Sequence, residues 1–519
     1  MKIKKIFFIL ILALILRSIF INTTPALNPD EAALGYNAYS IIKTGKDEHG
    51  QSLPLHLKSF GDYKPALYTY LAIPCIKLLG LTPFATRLPN IILSIFGIYY
   101  AYLLIHLLTK NKKLALLTAL VLTISPWHIH FSRGAWESSI ALSFVIIGTY
   151  YFFKDRKYLF ILFYALSLYT YHSARLIAPL LALSLFISTI NDLRSNYKKW
   201  LFPFFFGILI CIPVLFSFLN NGGTARFSGV GITADKGPLN RSEELLNHHN
   251  NVKLVNRIIH NKRVLYVLSW SEKYLSHFNL NFLFNEGDAV PRSKIPNMGL
   301  LYLIELPLLI YGIYKSSKSL KFQRSNALFI SWLLIAPIAS SMTFQAPSAL
   351  RALFMVLPLS YFIALGIYKL STKSYYLLIP IYILCFAFYL HSYFVQYPKI
   401  YPFAWNHGFS QVIPYVENNK NKYEHIYFTN KYDQPYILYL FFSQYDPVKI
   451  QKQIKLTPPD QFGFQTVEQI DNITFFIPQQ YEKIENKSLI IASDEIIPLP
   501  IKENFIFPDG SSGYNIYIK

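Results

Sequence analysis

The chain has 519 residues, of which 53% are hydrophobic and only 15% charged, and its formal net charge is +21. This is too apolar for a soluble multidomain protein. The cationic residues lie in short loops between apolar stretches, which marks membrane topology and argues against a nucleic-acid partner.

In chain order, the first segment begins with Lys2, Lys4 and Lys5, and Arg17 interrupts its apolar run. No small-x-small cleavage site follows, so it reads as a retained anchor and not a signal peptide. Apolar runs of about 20 residues can cross a bilayer as helices. Spans are expected at about 6–22, 86–108, 114–131, 136–153, 158–172, 175–190, 200–219, 298–314, 325–343, 350–368 and 375–395. With the basic N-terminus in the cytoplasm, one side collects Lys110, Lys112 and Lys113; Lys154, Arg156 and Lys157; and Arg194, Lys198 and Lys199. Lys315, Lys318, Lys321, Arg324, Lys369 and Lys373 join them, as the positive-inside rule requires. About eleven spans then put the C-terminus outside.

Residues 66–79 are short, contain Pro74 and end near Lys77, so they read as a helix at the outer face. Residues 28–42 read as a second such helix, both within a first outer loop of about 23–85. A larger outer loop is expected at about 220–297. From about 397, β-prone runs ("HIYFTN", "NITFFIP", "SLIIAS", "YNIYIK") alternate with helix-like stretches at 406–420 and 433–444. The expected organisation is an all-α polytopic membrane domain over 1–396 and a small extracytoplasmic α/β domain over 397–519. Cys75, Cys211 and Cys385 lie far apart in apolar segments and read as buried hydrophobes. There is no tandem repeat of fixed period.

Polar chemistry concentrates in the first outer loop. Asn28-Pro29-Asp30-Glu31 has the form of a capping box, with Asn28 as N-cap, Pro29 at N1 and Glu31 at N3. That use of Glu31 leaves Asp30 available as a general base. Lys64-Pro65 reads as the opening of the next helix, where a lysine and free amides suit an anion, although a lysine reaching the headgroups would look the same. The outer ends of later spans add His128, His130, Arg133 and Glu137, then His172 and Arg175, then Arg351. Arginines recurring where positive-inside pressure disfavours them suit a phosphate ligand. The histidines lack metal-ligand spacing, and there is no Ser-His-Asp signature, P-loop or dinucleotide fingerprint.

These residues resemble those of the polyprenyl-phosphate-sugar-dependent glycosyltransferases of the GT-C fold, in particular the protein O-mannosyltransferase and aminoarabinose transferase superfamily. The likeness rests on Asp30-Glu31 after the first span, on Lys64-Pro65, and on "RLP" (Arg87, Leu88, Pro89). A turn containing Ser125, Pro126, Ser132, Arg133 and Glu137 completes it. It covers about residues 1–400. Many relatives carry Lys-Pro-Pro where this chain has Lys64-Pro65-Ala66. The resemblance implies inversion at the anomeric carbon of a sugar carried on a lipid phosphate.

In that chemistry Asp30 would take the acceptor's proton and Lys64, with Arg175 and Arg351, would meet the departing phosphate. Glu31 or Glu137 would face an oxocarbenium-like transition state. Arg133, Glu137, His172 and Tyr63 are the substrate-binding candidates. No cofactor is required, though a divalent metal is not excluded. The partners would be a polyprenyl-phosphate-linked sugar, membrane lipids, and a protein, lipid or glycan acceptor.

Two other readings compete. An O-antigen ligase or polymerase would lean on Arg226, Arg241, His248, His249 and Arg292 in the large outer loop. A transporter would need repeats and mid-membrane charges, of which Arg17 is the one candidate.

Overall fold

The computed structural model describes residues 4–190, 195, 197–217, 231–248, 258–318, 323–432, 434–460 and 463–519. Arg194, Arg226, His249 and Lys321 lie outside the described residues. The chain divides into two compact units, one of residues 1–14, 93–131 and 138–389, the other of residues 15–92, 132–137 and 390–519.

The first unit is helical. Lys198–Phe216 within it, and Pro83–Thr109 and Thr372–Ile400, whose residues are divided between the two units, are each long and apolar enough to cross a membrane. Lys112–Ile124 and Pro126–Arg133 meet at a 58° bend and together meet the same test. Other expected spans correspond to shorter apolar helices, among them Glu137–Phe153, Lys157–Leu168, Ala174–Ser188 and Leu353–Tyr368. At 1.5 Å per residue, a 12-residue helix such as Lys157–Leu168 covers about 18 Å of a ~30 Å hydrocarbon core. Helices Glu305–Ser317 and Val356–Tyr368 lie backbone to backbone: a Cβ on Gly312 or Gly366 would strike the facing main chain.

In the second unit, helix α2 (Pro29–Thr44) starts at the Asn28 capping box, with Pro29 in its first turn, and ends at Gly45 in the left-handed conformation. A hairpin follows, β1 (His56–Ser59) paired antiparallel to β2 (Asp62–Pro65). Its two-residue turn, Phe60-Gly61, has φ of 58° and 83°, the doubly positive pattern of a type I′ turn. Helix α3 (Leu67–Leu79) begins after it. Lys64-Pro65 therefore closes a strand and does not open a helix. Proline lacks an N–H to donate, and the last position of a two-stranded edge tolerates that.

The C-terminal part forms a six-stranded sheet in the order β4-β5-β3-β6-β8-β7. Its strands are β3 (His425–Phe428), β4 (Gln469–Ile470), β5 (Ile473–Thr474), β6 (Ser488–Ala492), β7 (Glu503–Ile506) and β8 (Ser512–Ile518). Strands β5, β3 and β6 run parallel, while β4, β8 and β7 pair antiparallel with their neighbours. All five residues of β6 are buried, as a strand covered on both faces requires. The β-prone runs of the sequence fall on β3, β5, β6 and β8, and the helix-like stretches on Phe409–Asn419 and Pro435–Phe442.

Helix α2 docks on this α/β part. Tyr36 donates to the Tyr445 carbonyl at 2.8 Å, and Gln451 reaches Ser40, Thr44 and the Asp47 carbonyl at 3.1, 2.9 and 2.8 Å.

Candidate active site

Asp30 and Lys64, 34 positions apart in sequence, form an ion pair between the first turn of α2 and strand β2. The lysine side chain is 14% exposed and the aspartate 42%, so the carboxylate stays reachable while the ammonium is held from behind. Lys64 Nζ also lies 5.1 Å from the centre of the Phe60 ring, a cation–π contact that fixes the charge on this side of the hairpin. Phe60 is anchored in turn: its ring meets Tyr436 edge-on at 6.1 Å, and its carbonyl accepts from the Gln465 amide at 3.0 Å. Tyr63 alternates with Lys64 along β2 and therefore projects from the opposite hairpin face, across from Lys58.

Glu31 is placed quite differently from its neighbour. It is 1% exposed, and its two carboxylate oxygens accept five hydrogen bonds. Oε1 takes Arg87 Nε at 2.8 Å and the Ala135 amide at 2.6 Å. Oε2 takes Arg87 Nη2 at 2.6 Å and, closing the capping box, the Asn28 side-chain and backbone nitrogens at 3.1 and 3.3 Å. Arg87 places its remaining donors on the carbonyls of Ile21, Pro25 and Ala26. A buried, bidentate and fully hydrogen-bonded pair of this kind fixes geometry, and removing one partner strands a charge. Gly134 makes room for it: a Cβ there would meet the Trp136 indole at 2.5 Å and Glu31 Oε1 at 3.1 Å.

Arg133, fully buried, donates to the carbonyls of Leu16, Ile19 and Thr24 at 2.6, 2.6 and 2.8 Å, with the rings of Tyr393 and Phe394 about its guanidinium. It ties down the orphan carbonyls at the end of helix α1 (Lys4–Ser18). Glu137 opens the helix after Trp136, half-buried and within electrostatic reach of Tyr68, whose hydroxyl donates to the Thr86 carbonyl at 3.0 Å.

Three sequence candidates belong to the other unit. Arg175 donates to the Leu168 carbonyl at 3.2 Å and lies 3.3 Å from His172 Nδ1. Arg351 donates to the Thr343 hydroxyl and the Gln345 carbonyl at 3.2 and 3.1 Å. Among the described residues, no group of three His, Cys, Asp or Glu side chains is arranged to hold a metal.

Sequence reasoning overlooked Glu48. It follows α2 in the turn built by Asp47, whose Oδ1 accepts from the amides of His49 and Gln51 at 3.0 and 2.8 Å. The Glu48 amide is held by Asn37 Oδ1 at 2.9 Å, and the side chain is fully buried, neither oxygen within hydrogen-bond geometry of a partner among the described residues. His49 Nε2 stands 3.6 Å from Oε1. Burial pushes the Glu48 carboxyl up to about 8, while nearby Asn37 and Lys64 offset only part of that. Burial likewise lowers His49 to about 4, which keeps it neutral beside the acid. Nothing in "GKDEHGQ" distinguishes a buried glutamate from a solvated turn. Only its burial beneath helix and hairpin does.

No family model matches the sequence, and no curated protein matches it. Among solved structures, the crystal structure of ArnT from Cupriavidus metallidurans bound to undecaprenyl phosphate superposes with a TM-score of 0.56 at 9% identity, covering 99% of this chain and 98% of that one. ArnT in its apo state gives 0.45 at 10% identity, over 98% and 97%. The archaeal oligosaccharyltransferase AglB from Archaeoglobus fulgidus, in complex with an inhibitory peptide and a dolichol-phosphate, gives 0.48 at 13% identity, over 85% of this chain and 63% of that one. The first of these carries the likeness along nearly the entire chain, which shares the fold of that structure.

Proposed function

We propose that this protein is an integral-membrane, inverting glycosyltransferase. It moves a sugar from a polyprenyl-phosphate donor to an acceptor hydroxyl at the outer face of the membrane. The observation that carries the proposal is the Asp30–Lys64 pair, a reachable carboxylate and a shielded cation brought together from separate elements. The fold adds support, since the ArnT structure that shares it holds undecaprenyl phosphate.

The acceptor oxygen attacks the anomeric carbon from the face opposite the phosphate, and Asp30 accepts its proton. The carbon–oxygen bond to the phosphate breaks with its electron pair, and Lys64 meets the charge that collects on the leaving oxygen. In the resting protein Lys64 is bound to Asp30, so each masks the other. A donor phosphate that draws Lys64 to itself releases Asp30 to act as a base, which couples activation of the acceptor to the presence of donor. Glu31, whose lone pairs are committed to Arg87, Ala135 and Asn28, serves by holding Asp30 in the first turn of α2. Arg133 serves in the same way by fixing the turn before it. Arg175, Arg351, His172, Tyr63 and Glu137 remain candidates for contacts to donor or acceptor. About eleven spans, a cytoplasmic N-terminus and an outer C-terminal domain complete the proposed topology.

The test is to reconstitute the protein in lipid with a panel of polyprenyl-phosphate sugars and measure released polyprenyl phosphate. The expected result is release from at least one donor, lost in Asp30→Asn and Lys64→Ala. Release that both variants sustain at the rate of the parent would refute the assignment.

A further inference from the structure

The C-terminal sheet contains a topological switch point. From β3 the chain passes through helices Pro435–Phe442 and Pro447–Gln453 to β5 on one side of β3, then crosses to β6 on its other side. In an open α/β sheet, the crevice beyond the carboxyl ends of two parallel strands whose connections depart in opposite directions is the standard place for a ligand. Here those strands are β3 and β6, paired in parallel from His425↔Ser488 to Phe428↔Ile491.

The residues that follow the two strand ends are polar and interlocked. Thr429 donates its hydroxyl to Glu495, the Ser493 amide donates to the other Glu495 oxygen at 2.7 Å, and Tyr432 Oη lies 2.9 Å from Ser493 Oγ. Lys431 and Asp494 form an ion pair at the rim, their side chains 40% and 62% exposed. Beneath them Phe507, Tyr514 and Tyr432 make an aromatic floor, with ring centres 5.9–6.2 Å apart. Tyr514 is fully buried, and its hydroxyl, within electrostatic reach of Tyr432 and Glu495, has no hydrogen-bond partner among the described residues. That independent observation marks a donor left over under the crevice.

We infer that the crevice beyond β3 and β6 is a binding site for a neutral carbohydrate, separate from the Asp30–Lys64 centre. Among the described residues, two carboxylates stand beside a single lysine, which disfavours anionic ligands. Carboxylates, hydroxyls and an ammonium suit sugar hydroxyls, and the half-buried Tyr432 ring, backed by buried Tyr514 and Phe507, offers an apolar face to a pyranose. Such a site would keep glycan near a membrane enzyme whether or not that glycan is its acceptor.

The experiment uses the full chain in lipid nanodiscs, so that no sugar-headed detergent competes. Mannotetraose, maltotetraose and chitotetraose are titrated by calorimetry and by saturation-transfer NMR. The expected result is saturable binding of at least one. Asp494→Asn, at an exposed position that should fold normally, and Tyr432→Phe should each weaken binding by about tenfold or more, the cost of a lost charge-assisted or shared hydrogen bond. Lys64→Ala should bind like the parent. No saturable binding to any of the three, equal binding by the Asp494 and Tyr432 variants, or loss of binding in Lys64→Ala would each overturn the assignment.

Discussion

Replacing Glu48 by glutamine preserves the shape of a fully buried side chain and removes its proton equilibrium. The folded carboxyl sits at about 8 against an ordinary value of 4.5, so the folded protein holds the proton more tightly than the unfolded chain does. The stability linked to that proton is complete below about 4.5 and is lost as pH rises through 8. Each pH unit inside the window withdraws about 1.4 kcal/mol. Through this group the parent should therefore lose, relative to Glu48→Gln, on the order of 3 kcal/mol between pH 5 and pH 7 and somewhat more by pH 8. His49, lowered to about 4 from an ordinary 6.5, is neutral in the folded protein but protonated in the unfolded chain below about 6.5, so it adds an opposing slope there, which both proteins share and the difference removes. Asp47, also raised by burial, titrates in both proteins and cancels in the difference. The assay is thermal unfolding of the two proteins in nanodiscs from pH 5 to pH 8.5, read as the difference between their midpoints. A widening gap in favour of glutamine is expected, and parallel curves would show that Glu48 is solvated or already ionised.

The remaining predictions separate catalysis from architecture. Asp30→Asn should lower transfer by roughly a hundredfold or more, with a loss of thermal stability on the order of 1 kcal/mol or less. Normal turnover would place the base elsewhere, and Glu137 would be next. Lys64→Ala should lose release of polyprenyl phosphate, and Lys64→Arg should restore part of it, because a planar guanidinium replaces the charge but not the compact ammonium geometry. Arg87→Ala should destabilise by about 3–5 kcal/mol by stranding the buried Glu31 charge, and Glu31→Gln by a comparable amount by stranding the buried Arg87 guanidinium, although glutamine can still close the capping box. A melt in which Arg87→Ala matches the parent would contradict the buried pair. With Cys75, Cys211 and Cys385 replaced, a cysteine at half-buried Thr44 should react with an impermeant thiol reagent in intact cells, and one at Asn111 should not. Labelling at Asn111 alone would invert the proposed topology.

The sequence carried the local rules of this fold further than its long-range ones. The capping box at Asn28 and Glu31 was legible because it is a four-residue pattern. The strands of the C-terminal part were legible because β-branched and aromatic runs announce themselves. The Lys64-Pro65 helix start was misread for the same reason that it was attractive. Proline suits both the first turn of a helix and the end of an edge strand, and only the Phe60-Gly61 turn upstream decides between them. Arg87 appeared in the sequence only as part of a motif. That it reaches back 56 positions to Glu31 depends on packing that no local pattern encodes.

The same distinction explains why two adjacent carboxylates have different chemistry. Successive helical residues point about 100° apart, so Asp30 and Glu31 cannot share a face. One faces the hairpin and meets a lysine; the other turns inward and is saturated by an arginine, an amide and its own cap. A carboxylate with every lone pair engaged cannot take a proton from an acceptor without giving up a buried partner, at a cost of several kcal/mol. One paired with an ammonium at a reachable position can be released by a phosphate that competes for that ammonium. The chemistry at this pair of positions is therefore set by what each residue touches, and a motif that treats Asp-Glu as one unit merges an anchor with a base.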